Sequence, residues 1–260
     1  MQHTKLSPTS EAVRHDYLHF KYAVAECSIP YFNNKTLRAR GSLGVFVGKG
    51  SPKEIHEEVS ALFKKKHFDP NSLTSETLKN ILVDNNLGID CSGLAYYILD
   101  AECKARNKRS LAKNITFAKA YGLLGSLAAA LHPAKNIDVA TLADDHNSTI
   151  IPISEIRAGD MITMMTGADN SSGSERNHIL IVHEKNSSKI FFTHSVAYPE
   201  DGKFNSGVRQ GSIVLNPNTK IITDALWSEE NEANGNASQR ILERAKNSRT
   251  EVRRLRAFIE

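Results

Sequence analysis

Asn85-Asn86-Leu87-Gly88-Ile89-Asp90-Cys91-Ser92-Gly93-Leu94-Ala95-Tyr96-Tyr97-Ile98-Leu99 passes from turn-forming residues into an apolar run at a single cysteine. Asparagine and glycine mark a turn, aspartate is a favoured helix cap, and the apolar residues beyond it suit a helix. Cys91 is therefore expected at a helix N-terminus, capped by Asp90. The unpaired N–H groups there carry partial positive charge, which favours a thiolate. A thiol so placed needs a base, and in cysteine enzymes the base lies far along the chain and meets the nucleophile only in space. Gly93 removes a side chain where the first helical turn must pack or admit substrate, and Ser92 sets a donor beside the thiol.

Upstream, residues 53–66 and 75–83 place apolar side chains at helical spacing. From residue 150 the period shortens to that of strands, with candidates at 150–153, 161–165, 178–183, 190–194 and 212–215. Short connections between them imply an antiparallel sheet, so the fold class is α+β, with helices packed on that sheet. His178 opens one strand after a Ser-, Gly- and Asn-rich loop at 166–177, which suits a substrate-facing flap. His178 and His183 lie five apart on one strand and must face opposite sides, so only one can reach Cys91. His194 lies on the next strand. If Asn186-Ser187-Ser188 connects Lys185 to a paired Lys189, Leu180 falls opposite His194 and His178 shares its face. A two-residue turn would instead place His194 with His183. In the first register His194 orients His178, giving catalytic candidates Cys91, His178 and His194.

Asp90-Cys91-Ser92-Gly93-Leu94, Arg157-Ala158-Gly159-Asp160-Met161-Ile162, His178-Ile179-Leu180-Ile181 and His194 occur in that order. The set resembles the NlpC/P60 cysteine peptidases, over residues 85–197. Ala158 stands where that family has proline, and Leu180 where it has glycine. The resemblance implies a papain-like core in which the thiol-bearing helix packs on a histidine-bearing sheet. It also implies a peptide or peptidoglycan-fragment substrate, cleaved at an amide bond in the stem peptides of bacterial cell wall, with no cofactor. Tyr31, in Pro30-Tyr31-Phe32, is the nearest candidate for the aromatic residue that precedes the family's thiol. With Asp90 and Ser92 it makes up the expected substrate-binding or oxyanion set. Two other functions fit the same residues: an amidase or acyltransferase using the same Cys-His pair, and a non-catalytic binding module of the same fold.

The rest of the sequence narrows the field. With 260 residues, 40% hydrophobic and 24% charged, the chain suits one enlarged catalytic domain. Its parts are expected to be a core at about 85–220, an N-terminal arm at 1–50, a helical insertion at 103–150 and a basic helical tail at 237–260. A net charge of +4 and a pI near 8.9 favour acidic polymers without choosing among them. The tail alternates arginine with Glu243 and Glu251 and lacks stacking aromatics, so no specific nucleic acid is expected. Cys27, Cys91 and Cys103 are too few and too scattered for a disulfide framework. Strand parity separates His183 from Cys91, His178 and His194, which leaves three ligand types that could still resemble a catalytic zinc site, though no metal is expected. No run approaches the length of a membrane span or a signal-peptide core, which makes cytoplasmic residence the expectation, with lysis or unconventional export as the route to any wall substrate.

Overall fold

Helix starts in the N-terminal half coincide with side chains able to accept from the backbone. Ser7 caps α1 (Pro8–Leu18), followed by the hairpin of β1 (Phe20–Tyr22) and β2 (Ala25–Cys27). Ser51 and Glu54 form a reciprocal capping box on α2 (Pro52–Lys66), and Thr74 caps α3 (Ser75–Asp84). Asp90 caps α4 (Cys91–Ala105) by accepting from the Gly93 N–H at 2.7 Å. The computed structural model describes residues 4–34, 44–106, 108–117, 132–167, 177–198, 202, 205–216, 219–230 and 236–259.

The second half is dominated by a seven-stranded sheet in the order β3-β9-β4-β5-β6-β7-β8, antiparallel at every pairing. Its strands are β3 (Ser148–Ile150), β4 (Met161–Met165), β5 (His178–Lys185), β6 (Lys189–Val196), β7 (Gly207–Val214), β8 (Leu226–Glu229) and β9 (Arg249–Leu255). Alternation along β4 and β5 divides the interior into two layers. Met161, Ile179 and Ile181 pack toward α1 and α4, while Ile162, Met164, Leu180 and Val182 pack toward α7 (Ala237–Lys246). The mixture of helices and antiparallel sheet is the α+β class expected from the alternation of sequence periods. Among the described residues, no helix is long and apolar enough to cross a membrane.

Three expectations need correction. The tail at 237–260 is not helical throughout: residues 249–255 form β9, inserted between β3 and β4. Its arginines suggested a solvated helix, yet Arg253 and Arg254 are buried and neutralised by acids, Arg254 holding both Asp160 oxygens at 2.7 and 2.8 Å. The sheet therefore runs well past residue 220. The N-terminal arm, in turn, is part of the interior: Tyr17 and Ile29 are fully buried, and α1 is tied to α4 through Ser10 Oγ and the Ile98 carbonyl at 3.2 Å. In the 103–150 segment, α5 (Pro133–Asn136) and α6 (Val139–Ala143) are short helices, and residues 107 and 118–131 lie outside the described residues.

The β5–β6 hairpin also departs from its expected connection. Lys185 pairs with Ile190 and the Asn186 N–H donates to the Lys189 carbonyl, so the turn holds only Ser187 and Ser188. That turn alone would have set His194 on the wrong face. A β-bulge at His183 takes up the offset, and beyond it Ile181 faces Thr193, the register in which His178 and His194 share a face.

Replacing Arg254 with methionine leaves Asp160 buried without its cation and should lower stability by about 3 kcal/mol or more. The urea unfolding midpoint measures it; a midpoint shift worth under about 0.5 kcal/mol, the size of an ordinary surface change, would show that the pair is not holding β9 in place.

Candidate active site

The start of α4 is anchored from three directions. The Asp90 carboxylate caps the helix and accepts from Lys49 Nζ at 2.7 Å. That ammonium has no exposed surface, and it also donates to Ser92 Oγ at 2.5 Å and the Ile137 carbonyl at 3.0 Å. Ser195 Oγ on β6 donates to the Ile89 carbonyl at 2.7 Å, which ties the turn before Cys91 to the sheet. Gly93 is required by packing, because a Cβ there would lie 2.7 Å from Ile89 Cδ1 and 3.0 Å from the Gly48 carbonyl oxygen.

Cys91 is buried in the layer shared with Ile179, and its thiol meets the backbone N–H of Ile179 on β5. The regular β5–β6 pairing ends at Ile181 and Thr193, although both strands continue, so the sheet splits where the thiol approaches. His178, one residue before Ile179, sends its imidazole to the opposite side of β5. There its Nε2 lies 2.8 Å from His194 Nδ1, with Phe192 against His194 at 5.5 Å between ring centres. The structure thus joins His178 and His194 directly. It brings Cys91 to the adjoining residue of the same strand, at the split, with the Ile179 N–H as the thiol's partner.

Behind the histidines stand groups that sequence reasoning did not single out. Glu229, at the end of β8, places Oε2 3.5 Å from His194 Nε2 and accepts from the Tyr198 hydroxyl at 2.8 Å. Its other oxygen accepts from Arg209 at 3.2 Å. Burial alone would raise the Glu229 carboxyl, but His194, Tyr198 and Arg209 outweigh it and hold Glu229 below its ordinary value. The only hint in the sequence was parity: Glu229 follows Trp227 at strand spacing and so shares its inward face. Lys49 lies between Gly48 and Gly50, glycines that favour a turn, just after the turn of 3-10 helix at Gly44–Val47.

Of the remaining candidates, Ser92 is taken up by Lys49 and Asp90, and Asp90 serves as cap and counter-ion. Tyr31 pairs with Ile89 through an isolated bridge. It lines a cavity of about 510 Å³ together with Phe32, Leu87, Ala197, Tyr198 and Ser206. His183 turns to the other face, toward Thr193 Oγ1 at 3.0 Å. Of the proposed flap, residues 168–176 lie outside the described residues. No group of three or more His, Cys, Asp or Glu side chains among the described residues is arranged to hold a metal ion.

No family model, curated protein or solved structure matches this chain. The chemistry of the site must therefore be read from its own electrostatics. Burial, reinforced by Asp90, pushes the Cys91 thiol up to about 11, against the pull of Lys49, Arg244 and the Ile179 N–H. Burial, reinforced by Arg244 and His194, holds His178 well below the ordinary imidazole value. Both shifts favour the uncharged forms, a thiol at Cys91 and a neutral imidazole at His178.

Alkylation of Cys91 should accordingly be slow at pH 6 and rise through the alkaline range toward about 11. Iodoacetamide labelling followed peptide by peptide, with Cys27 and Cys103 as internal references, measures this. A rate already level at pH 6 would mean a preformed thiolate and contradict the electrostatic reading.

Proposed function

We propose that the chain is a papain-like cysteine hydrolase of the NlpC/P60 kind, cleaving an amide bond in a peptide of the bacterial cell-wall type. The observation that carries this reading is the 2.8 Å His178–His194 hydrogen bond, made by the residue adjoining Ile179, whose backbone N–H meets a thiol at a helix N-terminus. His178 spends Nε2 on His194, so Nδ1 is the nitrogen left to serve as base. The thiol leaves the Ile179 N–H, turns through the split between β5 and β6, and gives its proton to Nδ1 as sulfur attacks the carbonyl carbon. Because the resting pair is uncharged, proton transfer accompanies attack, as general-base catalysis requires. The N–H of Cys91, at the positive end of α4, faces the developing oxyanion. Imidazolium then protonates the leaving amine, and water, deprotonated by the same nitrogen, releases the acid and restores the thiol. The cavity between Tyr31 and Tyr198 supplies the groove for the peptide.

The raised Cys91 thiol favours a second reading, a binding module of the same fold that holds the peptide without cleaving it. An amidase or acyltransferase would use the same pair on another carbonyl. Mass spectrometry of cell-wall fragments incubated with the protein separates these outcomes by the bond broken or the group transferred. Cys91→Ala should abolish turnover and His178→Ala should lower it by about 10²- to 10⁴-fold, with circular dichroism unchanged. Undiminished hydrolysis by the folded Cys91→Ala protein would reject the mechanism, and fragment binding with no product from the wild type would favour the binding module.

A further inference from the structure

When both rings are uncharged, two imidazoles joined by one hydrogen bond have two possible arrangements of their protons, and only one leaves a lone pair on His178 Nδ1, the nitrogen that the proposed mechanism uses as base. In the first, His178 Nε2–H donates to His194 Nδ1, so the His194 proton sits on Nε2 and His178 Nδ1 carries a lone pair. In the second, His194 Nδ1–H donates to His178 Nε2, the remaining His178 proton sits on Nδ1, and the ring cannot accept from Cys91. The 2.8 Å contact is compatible with both.

We propose that Glu229 is the positioning residue that selects the first arrangement, by presenting an acceptor-only carboxylate to His194 Nε2. The consequence for catalysis rests on the cysteine-hydrolase reading; the selection of tautomers does not. His194 Nε2 is buried and makes no hydrogen bond among the described residues, and the Glu229 carboxylate 3.5 Å away is the acceptor that they bring to that atom. A proton on Nε2 is attracted to Glu229, whereas a lone pair there would face a negative charge across a site shielded from water, with His194 at 0% exposure and Glu229 at 4%. Tyr198 and Arg209 occupy the two carboxylate oxygens from other directions and keep the group ionised. Among the described residues, the cations beside these groups include Arg209 on β7, opposite His194 in the sheet, Arg240 on α7, 4.4 Å over the Tyr198 ring, and Arg244 on α7, which adds to burial in opposing protonation of His178. When Cys91 S–H breaks and His178 Nδ1–H forms, Glu229 is the anion that offsets the new imidazolium through His194.

Long-range ¹H–¹⁵N correlation spectra of histidine-labelled protein, assigned with His178→Gln and His194→Gln, report directly which nitrogen of each ring is protonated. Neutral Nε2–H on both rings of the wild type is expected. In Glu229→Gln the amide N–H₂ can donate to His194 Nε2, which should move both protons to Nδ1 and lower hydrolysis by about 10³- to 10⁴-fold with little change in KM. A wild-type spectrum with the His194 proton on Nδ1 would overturn the proposal, as would a folded Glu229→Gln protein with unchanged tautomers. If Glu229→Gln does not fold, the wild-type spectrum alone decides. Expected tautomers in a protein that cleaves no cell-wall fragment would leave the role of Glu229 standing and remove the hydrolase reading.

Discussion

The ammonium of Lys49, with no surface exposed to water, holds the start of α4 in place. Burying a charge is tolerable only when it is neutralised and its donors are used, and here Asp90, Ser92 and the Ile137 carbonyl meet both needs. The same Asp90 carboxylate caps the helix that begins at Cys91. The position of the thiol is thus set by an ion pair, not by apolar packing alone. This arrangement reaches across the chain, joining the Gly48-Lys49-Gly50 segment, the start of α4 and the 103–150 segment, where Ile137 lies.

That rigidity has an electrostatic cost for the thiol. Burial opposes ionisation of Cys91 and Asp90 beside it adds to that, while Lys49 spends much of its field on Asp90. His178 is in the mirror situation, with burial and then Arg244 opposing its protonation. A pair held uncharged on both sides is unreactive until proton transfer and bond formation can occur together, which protects a buried thiol from adventitious alkylation and oxidation. On the proposed hydrolase reading, a bound peptide would have to displace water and contribute its own dipole before the two groups could react. On that reading the work of the helix N-terminus would shift from stabilising a resting thiolate to stabilising the oxyanion.

How much of this was legible in the sequence depends on whether the signal was local. The cap at Asp90, the helix from Cys91 and strands β4 to β6 follow from short-range rules, and they lie where those rules place them. Residues 249–255 did not follow, because Arg253 and Arg254 read as solvent-facing until Asp145, Glu251 and Asp160 are known to meet them. Glu229 was missed for the same reason: it lies 35 residues beyond His194 in the chain, and only the sheet order β6-β7-β8 brings the two together. Lys49 had a misleading local context, since glycines on both sides made a turn the natural reading.

The hairpin of β5 and β6 shows how a wrong local step can still end in the right spatial relation. Two loop residues imply one register and three imply another, and the two registers exchange every side chain between the sheet's faces. The chain uses the shorter turn and then spends His183 on a bulge, so the strand regains alternation before it reaches His178. The bulge also sends the His183 ring to Thr193 Oγ1, on the α1 side, and away from the histidine pair. A residue first considered as a rival base thus becomes the point at which register is corrected. The His178–His194 contact depends on that extra residue as much as on the two histidines, since removing the bulge while keeping the turn would carry His194 to the face of His183 and separate it from His178.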